Sequence, residues 1–113
     1  MRCIFCEIIN KRIPAKIIYE DEYALAFEDI NPQAPVHILI VPKKHISTML
    51  EAGHDDNELI GRLFQTANKI ACDRNIAERG FRLVINCNPD AGQSVYHIHL
   101  HLLGGRIMHW PPG

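Results

Sequence analysis

Three histidines alternate with apolar residues near the end of the chain, in Gln93-Ser94-Val95-Tyr96-His97-Ile98-His99-Leu100-His101-Leu102-Leu103. Alternate side chains of a strand share a face, so the spacing predicts that His97, His99 and His101 project together, neighbours about 6.5–7 Å apart at ~3.3 Å rise per residue. Tyr96, Ile98, Leu100 and Leu102 then point the other way, toward a core, and a one-residue slip would exchange the two sets. Three chemistries compete: solvated surface histidines, one metal ion held by all three rings, and nucleophilic catalysis by the central ring. A straight strand spreads three successive same-face rings too far to meet one ion through ~2 Å bonds. Neutral imidazole attacks phosphorus well and gains from a neighbour that fixes its tautomer. Only catalysis gives the three rings distinct roles.

The loop before this segment fits the same chemistry. Asn86, Gly92, Gln93 and Ser94 bring amide, hydroxyl and backbone N–H donors just upstream of the histidines, and Gly92 allows close backbone approach to an anion. Uncharged donors of this kind stabilise charge that develops on a phosphate in the transition state. At the other end of the chain, Cys3-Ile4-Phe5-Cys6 is a C-x-x-C pair, which needs two further ligands to make a zinc site. Cys72 and Cys87 have no partner motif and read as structural.

Composition bounds the rest. The chain has 113 residues, which predicts a single domain over 1–113. Hydrophobic residues are 47% and charged residues 22%, which argues against a disordered chain. Twelve basic against thirteen acidic residues leave a formal charge of −1, so no long-range field draws in a nucleic acid or an anionic membrane. No apolar run approaches the ~20 residues of a membrane span. The start, Met1-Arg2-Cys3-Ile4-Phe5-Cys6-Glu7, lacks the apolar core of a signal peptide. A cytoplasmic protein with reduced thiols is the expectation.

The elements that must position these residues follow from periodicity. Ile4 to Asn10 reads as a short helix with Ile4, Ile8 and Phe5 inward, ended by Pro14. Lys16–Glu20 and Tyr23–Asp29 read as a hairpin around Asp21-Glu22, with Tyr23, Leu25 and Phe27 on one face. His37–Val41 is an apolar strand. Leu59, Ile60, Leu63, Phe64, Ala67, Ile70 and Ala71 step by three and four along one long helix, with Asp55 and Glu58 as a capping box. Phe81–Asn86 and Gln93–Leu103 complete the strands. The sum is an α+β fold: a mainly antiparallel five-stranded sheet, one long helix and a short N-terminal helix.

The segment His97-Ile98-His99-Leu100-His101-Leu102-Leu103 resembles the signature of the histidine triad (HIT) family. Ala26-Phe27-Glu28-Asp29-Ile30-Asn31-Pro32-Gln33-Ala34-Pro35, Pro42-Lys43-Lys44-His45-Ile46 and His109-Trp110-Pro111-Pro112-Gly113 are similar to its Hint branch, the purine nucleoside phosphoramidases. The resemblance implies that His99 attacks the α-phosphorus to give a nucleotidyl-imidazole that water then hydrolyses. It implies that His101 contacts the phosphate, that His97 orients and supports, and that His37 is the separate fourth histidine near the nucleophile. It places Asn86, Gly92, Gln93 and Ser94 at the phosphate and leaving group, and Asp29 at the ribose hydroxyls. Phe5, Ile8, Phe27, Ile30 and Leu39 are implied to sandwich a purine, although residue type alone reads them as core.

The family resemblance also implies a homodimer whose sheets join, with helix residues such as Phe64 at the interface and Trp110 near the partner's active site. No cofactor is implied for the chemistry. A structural zinc is implied on Cys3, Cys6, His45 and His97, the ligand set of bacterial relatives. The expected ligands are purine nucleoside monophosphates and AMP–amine phosphoramidates. The competing readings are a dinucleoside polyphosphate hydrolase and a nucleotide-binding scaffold with little catalysis.

Overall fold

The computed structural model describes residues 2–113; Met1, the first residue of the N-terminal segment read above, lies outside them. Five strands form one antiparallel sheet: β1 (Ile17–Glu20), β2 (Ala24–Glu28), β3 (Val36–Pro42), β4 (Phe81–Val84) and β5 (Leu100–Gly104), in the order β1-β2-β3-β5-β4. Helix α1 (Ile4–Ile9) and helix α2 (Asn57–Asp73) cover opposite faces. The α+β class and the five strands agree with the sequence reading. Among the described residues, no helix is long and apolar enough to cross a membrane.

The two faces are legible in the strand alternation. Ala24, Ala26, Ile38, Ile40, Leu100 and Leu102 are buried in one cluster with Leu63, Ala67, Ile70 and Ala71 of α2. Alanines on both sides allow the helix axis to approach the sheet closely. Leu25, Phe27, Leu39 and Val41, the intervening positions, form a second cluster with Phe5 and Ile8 of α1. Strands β2 and β3 are therefore buried on both sides, which explains their near-continuous apolar runs. A Cβ at Gly104 would come within 2.5 Å of Ile76 Cδ1, so glycine is what lets the loop after α2 close over the end of β5.

Several local expectations are corrected. Ile4 is 48% exposed while Phe5 and Ile8 are each 6% exposed; Ile4 opens the helix directly after its N-cap Cys3, with no turn before it to cover its side chain. That helix ends at Asn10, with Lys11 at φ 63°, before Pro14 is reached. Tyr23 lies just outside β2, half exposed under the Arg62 guanidinium, 4.0 Å above its ring. The brace at the start of α2 uses Asp56 instead of Asp55 and Glu58. Asp56 Oδ2 accepts from Gly53 N at 3.0 Å, and its Oδ1 binds Lys44 Nζ at 2.6 Å. Asp55 is exposed.

The largest correction concerns the last strand. It begins at Leu100, not Gln93, and β4 stops at Val84. Ile98 N donates to Ile46 O at 2.8 Å, and Gln93 Nε2 donates to Ser47 O and Val95 O at 2.8 and 3.1 Å. Side chains and the 46–47 loop thus satisfy the polar groups that a strand ladder would otherwise satisfy. Ile98, Leu100 and Leu102 are fully buried as expected, but Tyr96 is 44% exposed. Truncating Leu63, fully buried between α2 and the sheet, should lower unfolding stability by about 3 kcal/mol. Urea titration of Leu63→Ala checks this.

Candidate functional site

The three histidines occupy three different environments. His97 is fully buried, and its Nε2 lies 2.8 Å from the Pro42 carbonyl. A carbonyl only accepts, so Nε2 carries the hydrogen and the neutral ring turns its Nδ1 lone pair the opposite way. That lone pair faces Cys3 Sγ at 3.4 Å, Cys6 Sγ at 3.6 Å and His45 Nδ1 at 3.1 Å. Cys6 Sγ is also 3.4 Å from His45 Nδ1. Burial lowers the His97 pKa, against the opposing pull of the Pro42 hydrogen bond. The ring is therefore neutral near pH 7.

These four donor atoms form a metal-type cluster, all within 4.8 Å of one another. Bonds of about 2.0–2.3 Å to N and S in a tetrahedron require donor–donor edges of about 3.3–3.8 Å. The observed separations are close to those edges, and the donor set is two thiols and two imidazoles, so the residues fit a closed metal centre. Helix α1 brings both cysteines: Cys3 is its N-cap, accepting from Cys6 N at 3.4 Å. Burial, followed by the contact with Cys3, pushes the Cys6 thiol up to about 11. A bound cation would be needed to deprotonate it.

His99 comes next, and its Nδ1 lies 2.8 Å from the carbonyl of His97. Again the carbonyl forces Nδ1 to carry the hydrogen, which leaves Nε2 as the lone-pair nitrogen. Among the described residues Nε2 has no hydrogen-bond partner and is not sealed from solvent. The residue is 7% exposed, held edge-on by Phe5 at 5.1 Å between centroids. His101 is the first histidine of the triad on β5, and its ring centroid is 4.9 Å from that of His99. The expectation of three rings projecting from one face of a strand, 6.5–7 Å apart, is thus replaced by a bent approach in which only His101 belongs to a strand. The chain bends at residues 95–97, just before His99.

His101 is paired with Leu39 across the sheet, and His37 with Leu103. The two histidines are diagonal neighbours on the same face, and His37 Nε2 lies 2.9 Å from His101 Nδ1. Gln33 N donates to His37 Nδ1 at 2.9 Å, so His37 carries its hydrogen on Nε2 and passes it toward His101. His101 must then present Nε2–H outward. Burial lowers both pKa values, that of His101 to about 4, with His99 and His37 adding to the effect and Asp29 opposing it. Next to a nucleophilic nitrogen, the site therefore offers a neutral N–H donor.

The remaining expected site residues are placed as follows. Asp29 Oδ2 is 3.3 Å from His37 Nε2, and Oδ1 accepts from Asn31 N at 2.9 Å. Phe5, Ile8, Phe27 and Leu39 lie together in the α1 cluster, whereas Ile30 is 99% exposed and apart from it. Asn86 lies two residues beyond the end of β4, whose last residue, Val84, pairs with His101. Gly92, at φ 88°, closes the turn that leads to exposed Ser94. Gln93 is buried with its amide hydrogens on Ser47 and Val95 carbonyls and its Oε1 on Asn88 N. It braces the loop and has no N–H left for a ligand. Trp110 is 82% exposed. The roles of Gln33 N–H and the Pro42 carbonyl went unread because backbone groups carry no residue-type signal.

Residues 10–108 match the HIT domain. The chain belongs to the HIT family. A HIT family hydrolase from Legionella pneumophila is 54% identical, with a TM-score of 0.98 over 99% of this chain and 100% of that one. A 14 kDa zinc-binding protein of Brassica juncea is 50% identical over 112 residues, 97% of this chain and 98% of its own. The adenylylsulfatase HINT1 of Arabidopsis thaliana is also 50% identical, over 97% of this chain and 76% of its own. With its histidine cluster, this HIT protein is a hydrolase with a histidine nucleophile.

The depressed His101 pKa has a measurable consequence. Unfolded, the ring gains its proton near the ordinary value of about 6.5; folded, it does so only at about 4. Between these values the unfolded state binds more protons, so stability falls as pH drops through that window and His101 contributes no further loss below it. His101→Gln should flatten the slope of stability against pH by up to about one proton in this range. Denaturant titrations at intervals from pH 7 to pH 4 check it.

Proposed function

We propose that this HIT protein hydrolyses the P–N bond of purine nucleoside 5′-phosphoramidates through a nucleotidyl intermediate on His99. The observation that carries the reading is the hydrogen bond from His99 Nδ1 to the His97 carbonyl, which directs Nε2, the attacking nitrogen, outward beside the neutral His101. Nε2 attacks the α-phosphorus, a P–N(His99) bond forms, and the substrate P–N bond breaks. Its electron pair leaves with the amine, which takes up a proton. The nucleotidyl-imidazolium keeps its Nδ1–H on the His97 carbonyl. Water then adds to phosphorus, returns the pair to Nε2, gives up a proton and releases the nucleoside monophosphate.

His101 Nε2–H donates to the phosphate, with His37 behind it. Asn86, Ser94 and the Gly92 turn supply further uncharged donors. The Asp29 carboxylate retains acceptor sites for the ribose hydroxyls. Phe5, Ile8, Phe27 and Leu39 form the apolar bed for the purine, and exposed Ile30 offers a surface for its open face. The sequence similarity to an enzyme named adenylylsulfatase supports adenylyl sulfate as a second substrate class, since both substrates transfer the same adenylyl group. Dinucleoside polyphosphates are the comparison substrate expected to turn over more slowly.

His99→Ala should lower turnover of a fluorescent AMP–amine conjugate by at least about a thousandfold while AMP affinity changes by less than about threefold. Rapid-quench intact mass of the wild type should show an AMP adduct absent from the variant. Near-normal turnover in His99→Ala would overturn the reading.

Cys3, Cys6, His45 and His97 would hold zinc in this reading, a role supported by the donor set and by the name of the Brassica relative. The metal would fasten α1 to the segment that carries the His97 carbonyl. It takes no part in the bond changes. A cytoplasmic homodimer acting as a single-domain unit completes the proposal, with exposed Phe64 and Trp110 as contacts to the second copy. Native mass spectrometry of untagged protein should return a dimer with two zinc ions, and Cys6→Ser should lose the metal.

A further inference from the structure

The donor polarity of the His37–His101 pair is not intrinsic to the two rings. The pair can hold its hydrogens in two ways. In one, His37 Nε2–H donates to His101 Nδ1 and His101 shows Nε2–H outward. In the other, His101 Nδ1–H donates to His37 Nε2 and His101 shows a bare lone pair, which would repel an anion. Gln33 N, 2.9 Å from His37 Nδ1, favours the first arrangement because an amide N–H can only donate; Asp29 Oδ2, 3.3 Å from His37 Nε2, is a second acceptor for the same Nε2–H, but only the Gln33 N–H occupies Nδ1.

Gln33 sits in the loop before β3, and its position is controlled from the far end of the chain. Arg106 Nε donates to the Gln33 carbonyl at 3.0 Å, and Nη1 to the Ile107 carbonyl at 3.1 Å. Among the described residues, this is the hydrogen bond that ties Gln33 to anything outside segment 29–37; the loop's other bonds, Gln33 Nε2 to Asn31 O and Asn31 N to Asp29 Oδ1, are internal. Gly105 makes the tether possible. At φ 91° it turns the chain after β5, and a Cβ there would lie 2.9 Å from Pro35 Cβ. Arg106 forms no salt bridge among the described residues, so its charge is not engaged elsewhere.

We propose that Arg106 is a positioning residue for the reaction: by holding the Gln33 carbonyl it keeps the Gln33 N–H on His37, and so keeps His101 in the tautomer that donates to a phosphate. The inference rests on the reading of His101 as phosphate donor, and it assigns the control of that donor to a residue that touches neither substrate nor histidine. The expected loss is modest, since a displaced loop still returns part of the time.

The test is Arg106→Met, which keeps the apolar stem and removes the donors. Long-range 1H–15N correlation at pH 7.5 reads which nitrogen of each ring bears hydrogen. The wild type should show His37 protonated on Nε2 alone. Arg106→Met should show a mixture of the two His37 tautomers and a loss of about tenfold in kcat/KM on the AMP–amine conjugate. Arg106→Lys, with one donor retained, should show a smaller admixture and a smaller loss. A single unchanged His37 tautomer in Arg106→Met overturns the proposal whether or not activity falls, and so does a mixed tautomer with unchanged kcat/KM. Wild-type turnover in His101→Ala would instead remove the underlying reading of His101, a separate failure that the tautomer measurement does not share. Should Arg106→Met fail to fold, Arg106→Lys carries the test: its smaller tautomer admixture with a smaller loss supports the proposal, and a single unchanged His37 tautomer overturns it.

Discussion

The hydrogen bond from His97 Nε2 to the Pro42 carbonyl sets the direction of the polar groups that run from the cysteine cluster to His99. It fixes which nitrogen of His97 is bare, and aims that nitrogen at Cys3, Cys6 and His45. It also pins the backbone of His97, whose carbonyl then accepts from His99 and leaves His99 with its nucleophilic nitrogen outward. One residue thus faces the metal-type cluster with its ring and the reacting centre with its backbone. Pro42 suits the partner role because the pairing of β3 with β5 reaches only Ile40 and Leu100, which leaves the Pro42 carbonyl free on that side for a side chain.

A second chain of single-direction bonds runs through Gln33, His37 and His101. Each link has a donor or acceptor that cannot reverse, first an amide N–H and then a ring whose two nitrogens must differ. Burial reinforces the arrangement by keeping both rings neutral near pH 7. A cationic pair would attract phosphate more strongly in the ground state. A neutral, oriented donor favours the charge that develops later, at little reorganisation cost. The two chains meet where the His99 and His101 rings approach to 4.9 Å.

The fold's contribution is to bring remote segments to these rings. Helix α1 carries the cysteine pair and Phe5 onto the face opposite α2, and the turn after β5 returns Arg106 to the loop before β3. Among the described residues neither helix lends a side-chain hydrogen bond to His99 or His101; α2 supports the histidine strand by burying Leu100 and Leu102 beneath it.

Residue types and spacing determined the α+β class, the strand and helix inventory, the apolar faces of α2 and of Leu100 and Leu102, and singled out the three alternating histidines and the cysteine pair; His37 and His45 entered only through the family resemblance. These are readable because burial imposes a period of 2 or 3.6 and because ligating and nucleophilic side chains are few in kind. The sequence could not separate His97 from His99 and His101, since strict alternation looks the same in a straight strand and in a bent approach to one. It read Gln93 as a phosphate donor because its type is right, although its amide is consumed by Ser47 and Val95. It could not show Gln33 N–H or the Pro42 carbonyl at all. Hydrogen-bond direction between residues sixty or more positions apart, as for His37 and His101, exists only once the sheet has set its register, and that register decided which nitrogen of each ring is left to react.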